Sequence, residues 1–241
     1  MMKDNIFNEK TAQLTDFKFG KDVVDVFDDM VVRSVPFYLE IQRMMVELAN
    51  TFAVPGTNIY DLGCSTGTTI MSLSTKVNEE VGFVGVDNSP EMLESCRKNL
   101  NDFGIKQPFK LKLFDLNDKV EIKDASVVVL CLTLQFVRPL NREKLIQSIY
   151  NQLNPGGIII LVEKVLTESR HFNRHFIDYY YDFKRRNNYS ELEIAQKREA
   201  LENVLVPYKL SENIEMLKNC GFKDCDTFFK WYNFTGFVAV K

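Results

Sequence analysis

The stretch Asn58-Ile59-Tyr60-Asp61-Leu62-Gly63-Cys64-Ser65-Thr66-Gly67 decides how the rest of the chain is read. Apolar Ile59 and Leu62 run straight into two glycines and a helix-start pattern, which predicts a buried β-strand bent by a glycine loop into an α-helix. Gly63 and Gly67 leave room for a ligand close to the backbone, and Asp61 at the strand's carboxyl end can accept hydrogen bonds from an amine or hydroxyl. Such a site suits an adenosine-type ligand. A strand followed by two glycines is also what an ordinary tight βα turn looks like, so the motif needs company.

Company comes from Val84-Gly85-Val86-Asp87-Asn88-Ser89-Pro90, a second short apolar run that ends in an acidic residue about 20 positions on, where nucleotide folds place a ribose-binding carboxylate. Ser89-Pro90-Glu91 then reads as N-cap, first-turn proline and acidic first turn of a helix to about Phe103. Phe109 to Phe114 alternates as a third strand and ends in Asp115-Leu116. Ala125 to Leu130 is an unbroken apolar run, as a central parallel strand covered on both faces requires, and leads into Cys131. A helix from about Arg142 to Leu153 stops at Asn154-Pro155-Gly156-Gly157, and Ile158 to Val162 is the fifth strand. Ser211 to Asn219 is the last helix, followed by a hairpin of Phe222–Phe229 with Tyr232–Val240. The expectation is a single α/β domain over 1–241, with a doubly wound, mostly parallel seven-stranded sheet and its ligand crevice at the strands' carboxyl ends.

Two additions flank this plan. Residues 1–52 read as N-terminal cap helices: Val23, Val24, Val26, Phe27, Met30 and Val31 give one apolar face, and Ser34 with Pro36 is read as the N-cap and early proline of a helix carrying Ile41, Met44, Met45, Leu48 and Phe52. Tyr38, near its start, is a packed aromatic on spacing alone. Residues 164–210 form a helical insert rich in tyrosine and charge. There Ser190 and Glu193 spell a capping box, so the segment is structured and serves as a lid or a dimer face. His171 and His175 stand i, i+4 without a visible third ligand, which favours solvent-facing histidines over a metal site.

The chain has 241 residues, 45% of them hydrophobic, enough for one large core. Its formal charge of −3 advertises no nucleic-acid field, and direct nucleic-acid binding is not expected. No apolar run approaches the roughly 18 residues of a membrane span and the amino terminus lacks a signal-peptide core, so a cytoplasmic protein is expected. The five cysteines have no metal-like pairing and read as reduced thiols.

The segment from Asp61 to Gly67 resembles the glycine motif of class I S-adenosylmethionine (SAM)-dependent methyltransferases, whose Rossmann-like fold holds the adenine amine near the position of Asp115. A narrower resemblance rests on Asp29 to Pro36, Tyr60 to Ser65, Asp87-Asn88-Ser89, Thr133 to Phe136, and Asn188 to Ile194 with Gln196-Lys197-Arg198. Together these look like the carboxy-S-adenosyl-L-methionine synthase family, and the similarity runs from Asp4 to Lys241. Members make carboxy-SAM and phenylpyruvate from SAM and prephenate, for use by a downstream tRNA carboxymethyltransferase at the wobble uridine. The mechanism this implies passes through an ylide that captures carbon dioxide inside an enclosed site. The resemblance assigns SAM contacts to Tyr38, Gly63, Cys64, Ser65, Asp87, Asn88, Asp115 and Leu116. It also implies a catalytic Arg198 that holds the new carboxylate, a homodimer, and no metal. Cys131 stands where the family has asparagine, and a thiol supplies only a weak side-chain hydrogen bond.

Chemistry supports the arginine independently, since a planar guanidinium binds a carboxylate through two parallel hydrogen bonds. Spacing alone would make Arg198 a solvated partner of Glu202 at i+4. Arg33, Arg185 and Arg186 are candidates for prephenate's carboxylates. An ordinary SAM methyltransferase, or a non-catalytic SAM-binding protein, would share every loop feature, and only the block around Arg198 separates them.

Overall fold

The computed structural model describes residues 3–8, 17 and 20–241. Five parallel strands, β1 (Asn58–Leu62), β2 (Gly82–Asp87), β3 (Phe109–Leu113), β4 (Ala125–Cys131) and β5 (Leu153–Leu166), lie in the order β3-β2-β1-β4-β5. A two-residue strand β6 (Tyr208–Lys209) pairs with the end of β5, off the main sheet. The sheet closes with β7 (Lys223–Trp231) and β8 (Phe234–Val240), with β8 antiparallel to β5 and β7 antiparallel to β8. The principal path therefore has the seven expected strands, and β6 is an addition the sequence pattern did not signal.

Order reverses between β1 and β4, and this switch point is where an α/β sheet opens a crevice at its carboxyl edge. On one side of the sheet pack α6 (Pro139–Gln152) and α9 (Leu210–Asn219), through residues such as Ile146, Ile149 and Leu217. On the other pack α3 (Tyr38–Phe52), α4 (Thr68–Ser74), α5 (Pro90–Phe103) and α7 (Arg170–Arg186), through Ile41, Ile70, Cys96 and Tyr180. Val127 to Leu130 and Ile158 to Val162 are fully buried, which is why both read as unbroken apolar runs. The Asn154–Gly157 turn lies within β5: Leu153 already pairs with Ala125, and a bulge absorbs the extra residues before Ile158 pairs with Val127.

Ser89 caps α5 as expected, its hydroxyl accepting from Met92 N at 3.1 Å. Ser34 does not cap α3. It is the last residue of α2 (Phe27–Ser34), which follows the four-residue α1 (Lys21–Val24). Pro36 disfavours helix at the residue before it, and Val35 is accordingly extended; Phe37 then turns through φ 56° and α3 starts at Tyr38. The cap segment of residues 1–20 lies mostly outside the described residues.

Cap and insert are sewn together by polar contacts far apart in sequence. Arg33 on α2 donates to the carbonyls of Asn187 and Asn188, each at 2.8 Å, and to that of Asp4 at 2.9 Å, while its guanidinium lies 4.0 Å from the centre of the Tyr189 ring. Buried Asp4 accepts from the Tyr189 hydroxyl at 2.6 Å and from Lys197 Nζ at 3.3 Å. Lys197 belongs to α8 (Glu191–Leu201), whose capping box is fully formed between Ser190 and Glu193. Ser190→Ala should cost about 1 kcal/mol through loss of that cap, read as a lower midpoint in chemical denaturation. No described helix is long and apolar enough to cross a membrane.

Candidate active site at the strand ends

A cavity of about 980 Å³ opens over the carboxyl ends of β1, β2, β3 and β4, beneath α7, α8 and the N-terminal cap. From the loop after β1 come Gly63, Cys64 and Ser65; from the end of β2, Asp87 and Asn88; from the residues after β3, Asp115 and Leu116. Tyr38 contributes from α3, Cys131 from the end of β4, and Arg198 from α8. Ten of the eleven residues expected from the sequence thus meet on one surface.

The glycine loop is held by β2 and α2. Gly63 and Cys64 donate their N–H groups to Val86 O at 2.7 and 3.0 Å, and Ser65 N donates to Asp87 Oδ2 at 3.0 Å. Asp28 on α2 accepts from the Thr66 and Thr68 hydroxyls at 2.8 and 3.0 Å, tying the cap to the start of α4. Ser65 is kept at φ 46° and Leu132, just past β4, at φ 58°, uncommon values for side-chain-bearing residues that surrounding contacts must enforce. The glycines serve packing more than the sequence suggests. A Cβ on Gly63 would collide with the Thr133 side chain, and one on Gly67 would come within 2.8 Å of Cys96 Sγ on α5, so Gly67 makes room for a helix rather than a ligand.

Electrostatically, this end of the cavity is acidic. Asp87 accepts from Ser65 and Ser89 backbone N–H groups, yet burial raises its carboxyl above the usual range. Asp115 is exposed, lines the cavity and uses Oδ1 to accept two hydrogen bonds from Asn117. Asp61 is the exception among the expected residues: it does not line the cavity but lies behind its wall, 2% exposed. Neither of its oxygens has a hydrogen-bond partner among the described residues, and burial, with Asp87 nearby, pushes its carboxyl from the ordinary 3.8 to about 7. From behind the wall the Asp61 charge favours a cationic ligand in the cavity through space, and the remaining acids fit the hydroxyls and amine of an adenosine.

Cys131 stays a thiol, its ionisation opposed first by burial and then by the charge of Asp61, and Gln42 Nε2 lies 3.9 Å from its sulfur. Arg198 is exposed at the rim; the Tyr181 side chain, rather than Glu202, is the main partner that raises its guanidinium. Arg33, Arg185 and Arg186 do not line the cavity. Arg33 is spent on Asp29 and backbone carbonyls, and Arg185 on exposed Asp182 and Glu191. Among the described residues, the cations that do line it besides Arg198 are Lys164, Lys184 and Lys197. Two of these were legible only faintly: Lys164 follows Glu163 just past an apolar strand run, and Lys184 stands four residues after Tyr180 on the insert helix. His171 and His175 are exposed on α7 with rings 6.4 Å apart, and no cluster of three metal-ligating side chains occurs among the described residues.

Comparison with known proteins adds to this geometry. A methyltransferase-domain family matches residues 53–222. The chain is 55% identical to the carboxy-S-adenosyl-L-methionine synthase of Methylococcus capsulatus and 44% identical to that of Nautilia profundicola, with full coverage of both chains in each case. Among solved structures, a SAM-dependent methyltransferase from Methanococcus maripaludis superposes with a TM-score of 0.62 at 17% identity, covering 96% of this chain and 97% of the other. Human N-acetylserotonin methyltransferase, solved with SAM, gives 0.61 at 15% identity over 90% of this chain and 54% of its own. These two likenesses show the class I methyltransferase fold.

Proposed function

The chain belongs to the carboxy-S-adenosyl-L-methionine synthase family, an enzyme family of SAM-dependent, methyltransferase-like transferases, and from that premise we propose that it converts SAM and prephenate to carboxy-SAM and phenylpyruvate. The observation that carries the reading is that the acidic SAM-type wall and the guanidinium of Arg198 share one cavity. A methyl group needs no such cation, whereas a carboxymethyl group brings an anion.

The atoms balance without any further reagent. Prephenate aromatises by losing its ring carboxylate as carbon dioxide and its ring hydroxyl as hydroxide. A C–H bond of the sulfonium methyl gives way to a C–C bond to that carbon dioxide, and the released proton joins the hydroxide as water. Carbon dioxide must therefore be used before it diffuses off, so the helices over the cavity contribute by enclosure and by keeping the partners at high effective concentration. The product then supplies a tRNA carboxymethyltransferase. We also propose a homodimer built partly from residues 170–205, supported by the exposed apolar surface that Phe172, Ile177 and Tyr179 present on α7.

Incubation of the protein with SAM and prephenate should give phenylpyruvate together with a SAM derivative heavier by a carboxyl group, both read by mass spectrometry. S-adenosylhomocysteine formation with prephenate untouched would instead make this an ordinary methyltransferase.

A further inference from the structure

The three lysines on the cavity come from three different elements. Lys164 lies near the end of β5, Lys184 in the last turn of α7 and Lys197 on α8. Lys184 and Lys197 are each only 5% exposed. A buried ammonium is costly unless an anion or a set of acceptors compensates it. Lys197 has such compensation: Asp4 Oδ2 at 3.3 Å, Ser34 Oγ at 3.1 Å and the Tyr189 hydroxyl at 3.3 Å. Lys164 and Lys184 do not. Among the described residues neither has an ion pair or a side-chain hydrogen bond; their ammonium groups face the ring of Tyr180, 5.1 and 4.8 Å from its centre.

The nearest acid in sequence, Glu163, gives no help. It accepts from the backbone N–H groups of Leu134 and Gln135 at 2.9 and 2.8 Å and does not line the cavity. Among the described residues, Lys164 and Lys184 are thus left without an ion pair inside one cavity, and Asp4, paired with Lys197, reaches Lys184 only through space. Its other wall carries Asp87 and Asp115, with Asp61 behind them. Asp87 and Asp115 stand at the strand ends and the three lysines under the insert, where Glu202 at the end of α8 is the one lining acid among the described residues, and this arrangement matches one cationic ligand and one dianion bound side by side.

We propose that Lys164 and Lys184, backed by Lys197, bind the two carboxylates of the second substrate, with the buried Tyr180 ring packed against the two ammonium groups and holding them in place. This rests on the reading of prephenate as that substrate and assigns it a place. The physical gain is mutual. The dianion neutralises two ammonium groups whose protonation burial opposes in the free protein, and the lysines keep its carboxylates away from the acids that hold SAM.

Lys184→Met and Lys164→Met keep side-chain length while removing the charge, so neither is expected to unfold the protein. Each should raise the prephenate KM at least tenfold and leave the SAM dissociation constant within twofold; Lys184→Arg should recover part of the loss. Prephenate should also raise the wild-type melting temperature more than acetate at equal concentration does, and the Met variants should lose that difference. Prephenate KM values within twofold of wild type in both Met variants would overturn the site. If wild type does not turn prephenate over but is still stabilised by it through Lys184, the assigned reaction falls and the site stands. If wild type turns it over and the variants match it, the reaction stands and the site falls.

Discussion

Asp61→Asn is expected to raise the melting temperature of the ligand-free protein and, at the same time, to weaken SAM binding by roughly tenfold, about 1.4 kcal/mol. The two effects have one source. Asp61 is buried with both oxygens lacking hydrogen-bond partners among the described residues, and its carboxyl is raised from 3.8 to about 7 by burial first and Asp87 second. Because the folded state holds this proton more tightly than the unfolded chain, the stabilising contribution is present at low pH and is lost as pH rises from about 4 to about 7. Above that range the ionised group is a burden on the empty protein, on the order of 4 kcal/mol for a carboxyl moved from 3.8 to about 7. Denaturation of wild type and variant should therefore nearly coincide at about pH 3.5 and separate by pH 8, with the asparagine form more stable. Binding runs the other way, since the charge that penalises the empty protein is what a bound ammonium would compensate. Equal stabilities at pH 8, or unchanged SAM affinity by calorimetry, would show that Asp61 carries no buried charge of this kind.

Arg198→Ala should lower carboxy-SAM affinity about tenfold while SAM affinity changes little, because only the product carries the additional anion. Arg198→Lys should recover part of this, lacking the planar fork. The size depends on cover: Arg198 is exposed in the single chain, and an exposed ion pair in water contributes little. A second copy lying over α7 and α8 would desolvate the rim, and a helix at such an interface can complete the neighbour's site. Mixing Arg198→Ala chains with chains carrying Asp87→Ala, which removes the acceptor of Ser65 N and Ser89 N, should then restore one working site per mixed dimer. A monomer at working concentration, or equal losses of SAM and carboxy-SAM binding, would sink the arrangement.

The misreadings have local causes. Ser34-Val35-Pro36 has the composition of a helix start, and that reading fails because α2 continues through Ser34 before the proline breaks it. Arg33 looks like a free anion binder because its partners, Asn187 and Asn188, are 154 and 155 residues away.

The order of strands and helices, the caps at Ser89 and Ser190 and the acids at three strand ends were all readable along the chain, because they rest on apolar periodicity and on hydrogen bonds within a few residues. Burial and charge pairing were not. Whether Asp61 lines the cavity or stands unpartnered behind it, whether Gly67 faces a ligand or Cys96, and which cations remain unneutralised all depend on contacts between distant segments. Lys184 and Lys197 look alike as residues of charged helices; only the packing of α7 and α8 against the cap gives an ion pair with Asp4 to one and leaves the other against the Tyr180 ring of its own helix, because a charge's energy is set by what surrounds it in space.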